Sequence, residues 1–179
     1  DRTVRAYLAT LPAREAFHAR LTALFDHERL TAPLKRGGRY FFTRNAGLDN
    51  QAVLLMREGV DGPDRVLIDP NAWSSDGTTA LAEWSPSEDG TLVAFGVQES
   101  GSDWRTIRVL DVASGVRLED EIRWARFTII AWAKDGSGFF YSGFPAPADN
   151  TPSAAPVGGH AVHFPALGTA QAHTRVVHA

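Results

Sequence analysis

The sequence LAEWSPSEDGTLVAFG at residues 81–96 recurs in degraded form at residues 129–143 as IIAWAKDGSGFFYSG. Both copies contain an apolar run, a tryptophan, a polar turn with Asp-Gly, a second apolar run and a glycine. The tryptophans, Trp84 and Trp132, are 48 residues apart, and a fainter copy precedes them at Arg36-Gly-Gly-Arg-Tyr-Phe-Phe. A repeat of about 40 to 50 residues with several short strands is typical of β-propeller blades. The alternative is an ordinary β-sandwich in which the segments arose independently.

Each half of the repeat has the composition of a strand or of a tight turn. The apolar run Thr91-Leu-Val-Ala-Phe-Gly-Val is nearly continuous, which is typical of a strand that is covered on both faces. Asp89-Gly90 and Asp135-Gly136 supply residues that tolerate the positive φ angles of a hairpin turn. The repeat therefore predicts stacked strands joined by short hairpins.

From about residue 30 onward, short apolar runs alternate with turn clusters and indicate a mainly β protein. We expect about three four-stranded blades, at residues 30–77, 78–124 and 125–179, with the third beginning near Phe127. Residues 145–159 are rich in Pro, Ala and Gly and predict a long mobile loop. Propellers close with roughly four to eight blades. Three blades either assemble with further copies or form the N-terminal portion of a longer protein, and we expect the latter.

Residues 1–29 predict two short α-helices interrupted at Pro12. Their helically spaced apolar residues are Val4, Tyr7, Leu8, Leu11, Phe17, Leu21, Leu24 and Phe25. Two such helices need a surface on which to bury these side chains, and another domain is the expected partner. A phosphate-binding patch is the alternative for the nearby excess of arginine, which we interpret as solvated charge.

The composition excludes several function classes. With 179 residues, of which 44% are hydrophobic, the chain can build one or two ordinary cores. The net charge of −3 gives no reason to expect nucleic acid as a partner. No apolar run approaches the roughly 20 residues that cross a bilayer, so no membrane is expected. The absence of cysteine excludes disulfides, thiolate metal sites and a cysteine nucleophile.

No motif in the chain carries recognisable catalytic or cofactor chemistry. There is no Gly-x-Ser-x-Gly and no phosphate-cradling glycine motif, so we expect no cofactor, and we interpret Ser102 and Ser137 as turn residues. His160 and His163 are candidate metal ligands, but residues three apart on a strand face opposite sides. We therefore predict exposed loop histidines and no metal site. Nothing in these residues alone indicates an enzyme.

Several longer blocks occur in a fixed order along the whole chain. They are Lys35-Arg-Gly-Gly-Arg-Tyr-Phe-Phe, Asn45-Ala-Gly-Leu-Asp-Asn-Gln-Ala-Val-Leu, Leu67-Ile-Asp-Pro-Asn, Ser75-Asp-Gly-Thr, Trp84-Ser-Pro-Ser-Glu-Asp-Gly, Gly101-Ser-Asp-Trp-Arg-Thr-Ile, Ala131-Trp-Ala-Lys-Asp-Gly-Ser-Gly-Phe-Phe-Tyr and Leu167-Gly-Thr. In order and spacing they resemble the opening of the propeller of the prolyl oligopeptidase family. These blocks are far more specific than propeller periodicity.

The resemblance implies a serine peptidase that cleaves short peptides after proline, with an α/β-hydrolase domain capped by a seven-bladed propeller. The N-terminal helices would pack on the hydrolase domain of the same parent protein, and the propeller would restrict access to oligopeptides. The family's Ser-Asp-His triad follows the propeller, so the resemblance places no catalytic residue in this chain. Its expected partners are short proline-containing peptides and that hydrolase domain.

Two substrate-binding positions follow from the resemblance. Phe144 falls where the family places an aromatic ring that lines the pocket for the substrate residue two before the proline. Asp120 falls where an acidic propeller residue pairs with a substrate-binding arginine of the hydrolase domain. The alternatives are a hairpin-end aromatic residue and a solvated strand-end charge. A different class of function also stays open, namely a stand-alone partial propeller that acts as a non-catalytic protein-interaction module.

Overall fold

Two short helices precede a β region in the order expected from the sequence. The computed structural model describes residues 2–146 and 158–178. Within these residues the strands form two antiparallel sheets, neither of which closes on itself. The predicted mobile loop at residues 145–159 falls mostly outside the described residues. The expectation of a mainly β partial propeller preceded by two short helices is confirmed.

Helix α1 spans Arg2–Ala9 and helix α2 spans Arg14–Phe25. Pro12 lies between them, because proline lacks the amide hydrogen that would continue a helix. Neither helix contains a buried residue. The predicted apolar stripes are therefore exposed on the described chain, with exposed fractions from 37% at Leu8 to 67% at Phe17.

The first sheet contains five strands. They are β1 (Arg29–Leu30), β2 (Leu34–Arg36), β3 (Arg39–Asn45), β4 (Val53–Glu58) and β5 (Asp64–Ile68). Their order is β1-β3-β4-β5, and β2 also pairs with β3. β1 pairs with the end of β3 and β2 with its beginning, so these two short strands together cover one edge of β3. This sheet is the first blade.

The second sheet contains the remaining eight strands. They are β6 (Thr79–Pro86), β7 (Leu92–Glu99), β8 (Trp104–Asp111), β9 (Arg117–Arg126), β10 (Ala131–Trp132), β11 (Phe139–Gly143), β12 (Ala161–Phe164) and β13 (Arg175–His178). A single residue pair, Ala125 with Gly143, joins β9 to β11. Strands β6–β9 are therefore the second blade, and β10–β13 are the third.

The first strand of the third blade lies later in the chain than expected. We expected its first strand near Phe127, but that residue has a φ of 49° and the strand starts at Ala131. A positive φ at Phe127 turns the chain instead of extending it. β9 continues to Arg126. The domain ranges 1–29 and 30–179, and the blade limits within the latter, stay predictions.

Two apolar layers hold the three blades together. Val93, Phe95 and Val97 of β7 pack with buried residues of the first blade, whereas Ala94 packs with the layer that reaches the third blade. Successive strand residues point to opposite faces, so β7 is covered on both sides. This arrangement is the reason for its nearly continuous apolar sequence, and it excludes a self-contained sandwich.

The two repeated tryptophans occupy equivalent places in these layers. Trp84 packs against the layer between the first and second blades, and Trp132 against the layer between the second and third. The indole Nε1 of Trp132 donates a hydrogen bond of 2.8 Å to the carbonyl oxygen of Ser85. The sequence repeat therefore marks the residue that packs each blade on its predecessor.

The Asp-Gly turns form as predicted. Gly90 and Gly136 have φ values of 68° and 71°, a region that glycine enters at little cost. The carboxylate of Asp89 accepts hydrogen bonds from the Ser87 hydroxyl at 2.6 Å and from the Thr91 amide at 3.0 Å. These bonds, the Ser87 bond first, outweigh a slight desolvation and lower the pKa of Asp89 below its ordinary value of 3.8.

Candidate functional site

An aromatic cluster lies where β8 begins and where β9 and β11 end. The Trp104 ring meets the Trp124 ring edge-on at a centroid distance of 5.5 Å. Trp104 pairs with Arg126 in the β8–β9 register, which brings together residues about twenty positions apart in sequence. Large aromatic rings of this kind supply contact area for peptide groups and apolar side chains.

Phe144 belongs to this cluster. Its ring meets the Trp104 ring edge-on at 5.7 Å and lies 5.0 Å from the exposed His160 ring. Its backbone amide donates to the carbonyl oxygen of Trp124 at 3.1 Å. The Phe144 side chain is half-buried, so part of the ring can contact a ligand while the rest is held by neighbours.

The backbone beside the cluster is strained. Trp124 and Phe127 adopt left-handed φ values of 64° and 49°, a region that costs a bulky residue on the order of 1–3 kcal/mol. Such conformations persist only where the surrounding structure fixes them. The strain therefore indicates that both ring positions are imposed by the sheet, and Phe127 is left 64% exposed.

Arg126 holds the outer part of the cluster together. Its guanidinium carbon lies 5.1 Å from the Trp104 ring centroid and 4.7 Å from that of Phe127. One terminal nitrogen pairs with the carboxylate of Asp103 at 2.8 Å. The Arg126 side chain is only 20% exposed, and cation–π contacts strengthen when the cation is desolvated. The guanidinium thus fixes two rings and one carboxylate at the same end of the sheet.

Asp120 lies away from this cluster. The backbone amide of Gly168, in the third blade, donates to its carboxylate at 2.7 Å. In the β8–β9 register Trp104 pairs with Arg126 and Arg108 pairs with Glu121. Asp120 therefore lies about five residues, or roughly 16 Å, along the sheet from the cluster. The structure does not bring Phe144 and Asp120 together.

His163 lies in different surroundings from those expected. His163 lies in β12, half-buried, and stacks on the Tyr141 ring at 5.2 Å, so our prediction of an exposed loop residue is wrong for His163. The strand pattern places its ring on a ring of the neighbouring strand β11. Burial first, and the nearby His160 second, lower the pKa of His163. Across residues 2–146 and 158–178, no group of three potential metal ligands occurs.

Burial also affects the phenol beneath His163. It raises the pKa of Tyr141 to about 12, although a hydrogen bond with Gln171 partly offsets the shift. Tyr141 therefore stays neutral at physiological pH and packs against its neighbours.

Neither α1 nor α2 is long and apolar enough to span a membrane, and the same holds for every other helix in the described chain.

Reasoning from sequence missed most of the cluster. Phe144 was singled out, whereas Trp104, Trp124, Arg126 and Phe127 were not. The segments Ser-Asp-Trp-Arg and Arg-Trp-Ala-Arg-Phe are dense in aromatic and basic residues, and this density is the available signal. Only the strand register shows that the two segments are neighbours.

The comparisons with known proteins agree with this architecture. The family model described as "Prolyl oligopeptidase, N-terminal beta-propeller domain" matches residues 1–179. A prolyl endopeptidase of Elizabethkingia meningoseptica is 36% identical over 171 residues, which cover 96% of this chain and 24% of that protein. Prolyl oligopeptidase ophP of Omphalotus olearius is 33% identical over 195 residues, covering 97% of this chain and 26% of the relative.

Solved structures give the same result. One, from a study of two prolyl endopeptidases, superimposes with a TM-score of 0.91 at 35% identity and covers 99% of this chain and 26% of that chain. Prolyl oligopeptidase B from Galerina marginata, bound to a 25mer macrocyclization substrate, gives 0.84 at 27% identity with coverage of 99% and 27%. The chain spans about a quarter of the length of these relatives. By sequence and by fold, it belongs to the prolyl oligopeptidase family, within the N-terminal β-propeller domain.

Proposed function

We propose that this chain is the N-terminal and propeller portion of a serine peptidase that hydrolyses short peptides after proline. The observation that carries the proposal is the match along essentially the whole chain to prolyl endopeptidases, at 36% sequence identity and a TM-score of 0.91. A likeness at this identity exceeds what a shared propeller fold requires, since the same fold hosts unrelated functions.

In this proposal the chemistry occurs on residues outside the chain. Acyl transfer needs a nucleophile, a base within hydrogen-bond reach and an orienting carboxylate. Within the described residues, the candidates Ser102 and Ser137 are turn residues, and the Ser137 hydroxyl donates to Asp135 at 2.7 Å. The Ser102 hydroxyl accepts from the Trp104 amide at 3.2 Å. The contribution of this chain is to shield the site and to shape its outer part.

The N-terminal helices support a docking role. Their apolar residues stay exposed on the described chain, including Tyr7 at 66% and Phe17 at 67%. Exposed apolar area of this kind is typical of an interaction surface. We propose that α1 and α2 pack on the α/β-hydrolase domain of the same parent protein. The length of the relatives, about four times that of this chain, supports the presence of a further domain in the parent protein.

Phe144 is proposed to line the pocket for the substrate residue two before the proline. Its membership of the half-open cluster with Trp104 supports this role, because an edge-on aromatic pair forms a rigid apolar wall. Asp120 is proposed to orient a substrate-binding arginine of the hydrolase domain. Its carboxylate has a second oxygen beside the one bonded to Gly168, and a guanidinium could pair with it through a charge-assisted hydrogen bond.

The gating part of the proposal can be tested on the full-length protein. We expect cleavage after proline in a short peptide, and at least tenfold slower cleavage when the same segment is embedded in an unfolded protein. The control substrate replaces proline with alanine in the short peptide and should not be cleaved. Equal rates for the short and the embedded segment would refute gating. Equal rates for the proline and alanine peptides would refute the proposed specificity.

A further inference from the structure

A cleft on the second blade combines tryptophan rings at one end with arginines at the other. Its volume is about 470 Å³, and the lining includes Trp104, Trp124, Thr106, Arg108 and Arg123. From Trp104 to Arg108 the strand advances four residues, or about 13 Å, which is the length of roughly four residues of extended peptide. The cleft can therefore accommodate a short peptide segment along β8 and β9.

The arginine end carries an excess of positive charge. The Glu121 carboxylate lies 3.2 Å from the Nε of Arg108 and 3.2 Å from the Nε of Arg123. A terminal nitrogen of Arg117 lies 4.0 Å from the same carboxylate. Three guanidiniums therefore surround one carboxylate. Burial raises the pKa of Glu121, but hydrogen bonds from Arg123 and Arg108 outweigh it and lower the pKa overall. Glu121 is consequently ionised at neutral pH, and the three guanidiniums outnumber the carboxylate that they surround by two.

Two of the three lining arginines, Arg108 and Arg123, contact the same carboxylate. Glu121 engages them through Nε. Each of these contacts is 3.2 Å long, and a guanidinium that pairs through Nε has two further nitrogens with two N–H donors each. These terminal nitrogens are the ones that form forked pairs with an oxyanion. The other lining arginine, Arg105, is already paired with Glu83 at 2.5 Å.

The backbone that carries Arg123 is fixed from the third blade. The side-chain oxygen of Gln171 accepts from the Arg123 amide at 2.9 Å, and its nitrogen donates to the Arg123 carbonyl at 2.8 Å. The side-chain amide of Gln171 therefore bonds both backbone groups of Arg123 at the edge of β9, as a neighbouring strand would. The Arg123 guanidinium is therefore carried on a fixed backbone although its side chain is 66% exposed, which reduces the entropy lost on binding.

We propose that this cleft binds an acidic peptide segment, whose carboxylate pairs with Arg108 and Arg123 while its backbone lies along Thr106 toward the tryptophans. The segment runs with its carboxylate away from Trp104, because the lining residue Glu99 neighbours that end, where Gln98 pairs with Arg105. Aromatic rings at the far end favour an apolar neighbour in the peptide. This site goes beyond the proposed peptidase function and does not depend on it.

The test uses the full-length protein and an acetylated, amidated tetraglutamate peptide, with tetraglutamine as the neutral counterpart. Isothermal titration calorimetry should detect binding of tetraglutamate, and tetraglutamine should bind at least tenfold more weakly. Arg123→Gln should weaken tetraglutamate binding about tenfold, because it removes a charge-assisted hydrogen-bond pair. The matched control, Arg117→Gln, removes the same charge beside Glu121 without touching the cleft lining, and should change the affinity less than twofold.

Three results would overturn the proposal. Wild-type protein that binds neither peptide, or both equally, has no acidic-peptide site in this cleft. If Arg117→Gln and Arg123→Gln lose equal affinity for tetraglutamate, binding depends on the overall charge of this region and not on a site in the cleft. Binding of inorganic phosphate without binding of tetraglutamate would assign the cleft to a free oxyanion instead. The peptides lack proline and only binding is measured, so none of these results bears on post-proline cleavage.

Discussion

Replacing Gly90 with alanine tests how the first two blades pack. Gly90 has a φ of 68°, and a Cβ added to it would lie 2.6 Å from the carbonyl oxygen of Arg36 in the first blade. Gly136 occupies the equivalent Asp-Gly turn of the third blade with a φ of 71°, and its added Cβ would meet nothing within 4 Å. The two substitutions therefore share backbone strain and differ in the contact between blades.

The expected magnitudes follow from this comparison. Both variants carry roughly 1–2 kcal/mol of left-handed strain. Gly90→Ala also forces the backbone at Arg36 or at residue 90 to shift, because 2.6 Å is too short for a Cβ contact, and overpacking of this kind costs a further ~1–3 kcal/mol. We expect the Gly90 variant to be the less stable of the two by that amount. The difference corresponds to about 5- to 150-fold in a local opening equilibrium.

Hydrogen exchange of the full-length protein measures this effect where it arises. In Gly90→Ala, the amides of β2 and β3 should exchange about 5- to 150-fold faster than in the wild type. In Gly136→Ala, acceleration should stay within the third blade. If both variants accelerate exchange in β2 and β3 equally, or if neither does, the turn at Gly90 does not pack against Arg36 of the first blade as described.

Three further substitutions test individual side chains in the full-length protein. Phe144→Ala should raise KM about tenfold for substrates with a bulky residue two before the proline, and should leave truncated substrates unchanged. Asp120→Asn keeps an acceptor for the backbone but removes the charge, and should lower kcat/KM about tenfold. The Ser87 hydroxyl is the main cause of the lowered pKa of Asp89, so the stability it contributes is present above pH 3.8 and is lost as pH falls through the lower folded-state pKa. Asp89→Asn should therefore lose less stability than the wild type when urea unfolding is compared at about pH 5 and about pH 2.

Each of these variants has a matched control or a contradicting result. Phe164→Ala removes an aromatic ring that contacts Phe140 at 4.9 Å, outside the Trp104 cluster, and a KM increase equal to that of Phe144→Ala would contradict the subsite. Glu119→Gln removes a neighbouring exposed charge. If it lowers kcat/KM as much as Asp120→Asn does, the effect comes from the loss of a negative charge in this region and not from a specific pair with Asp120. Identical acid sensitivity of the Asp89 variant and the wild type would show that this carboxylate does not contribute.

The sequence was sufficient for the parts of the fold that repeat. Trp84 and Trp132 pack in successive layers, and Gly90 and Gly136 adopt the positive φ that Asp-Gly turns require. Periodicity predicts these features because each depends on residues close together in the chain. The nearly continuous apolar sequence of β7 likewise predicts a strand covered on both faces, which is its place between two layers.

The aromatic cluster could not be predicted in the same way. Trp124 and Phe127 adopt left-handed φ values that no local preference of bulky residues suggests, and irregular β8–β9 pairing places Trp104 opposite Arg126. Register and strain are set by tertiary packing, which a single sequence does not reveal. The half-buried position of His163 was not predicted for a related reason, because its partner Tyr141 lies on a neighbouring strand.

Labelling the reactive serine tests the central claim that these blades belong to a peptidase whose chemistry lies outside them. The full-length protein is treated with a fluorophosphonate, assayed for cleavage after proline, and mapped by mass spectrometry. Labelling should abolish post-proline cleavage, and the modified serine should lie outside the 179 residues of this chain. A label on a serine within these residues, or a full-length protein that does not cleave after proline, would contradict this claim.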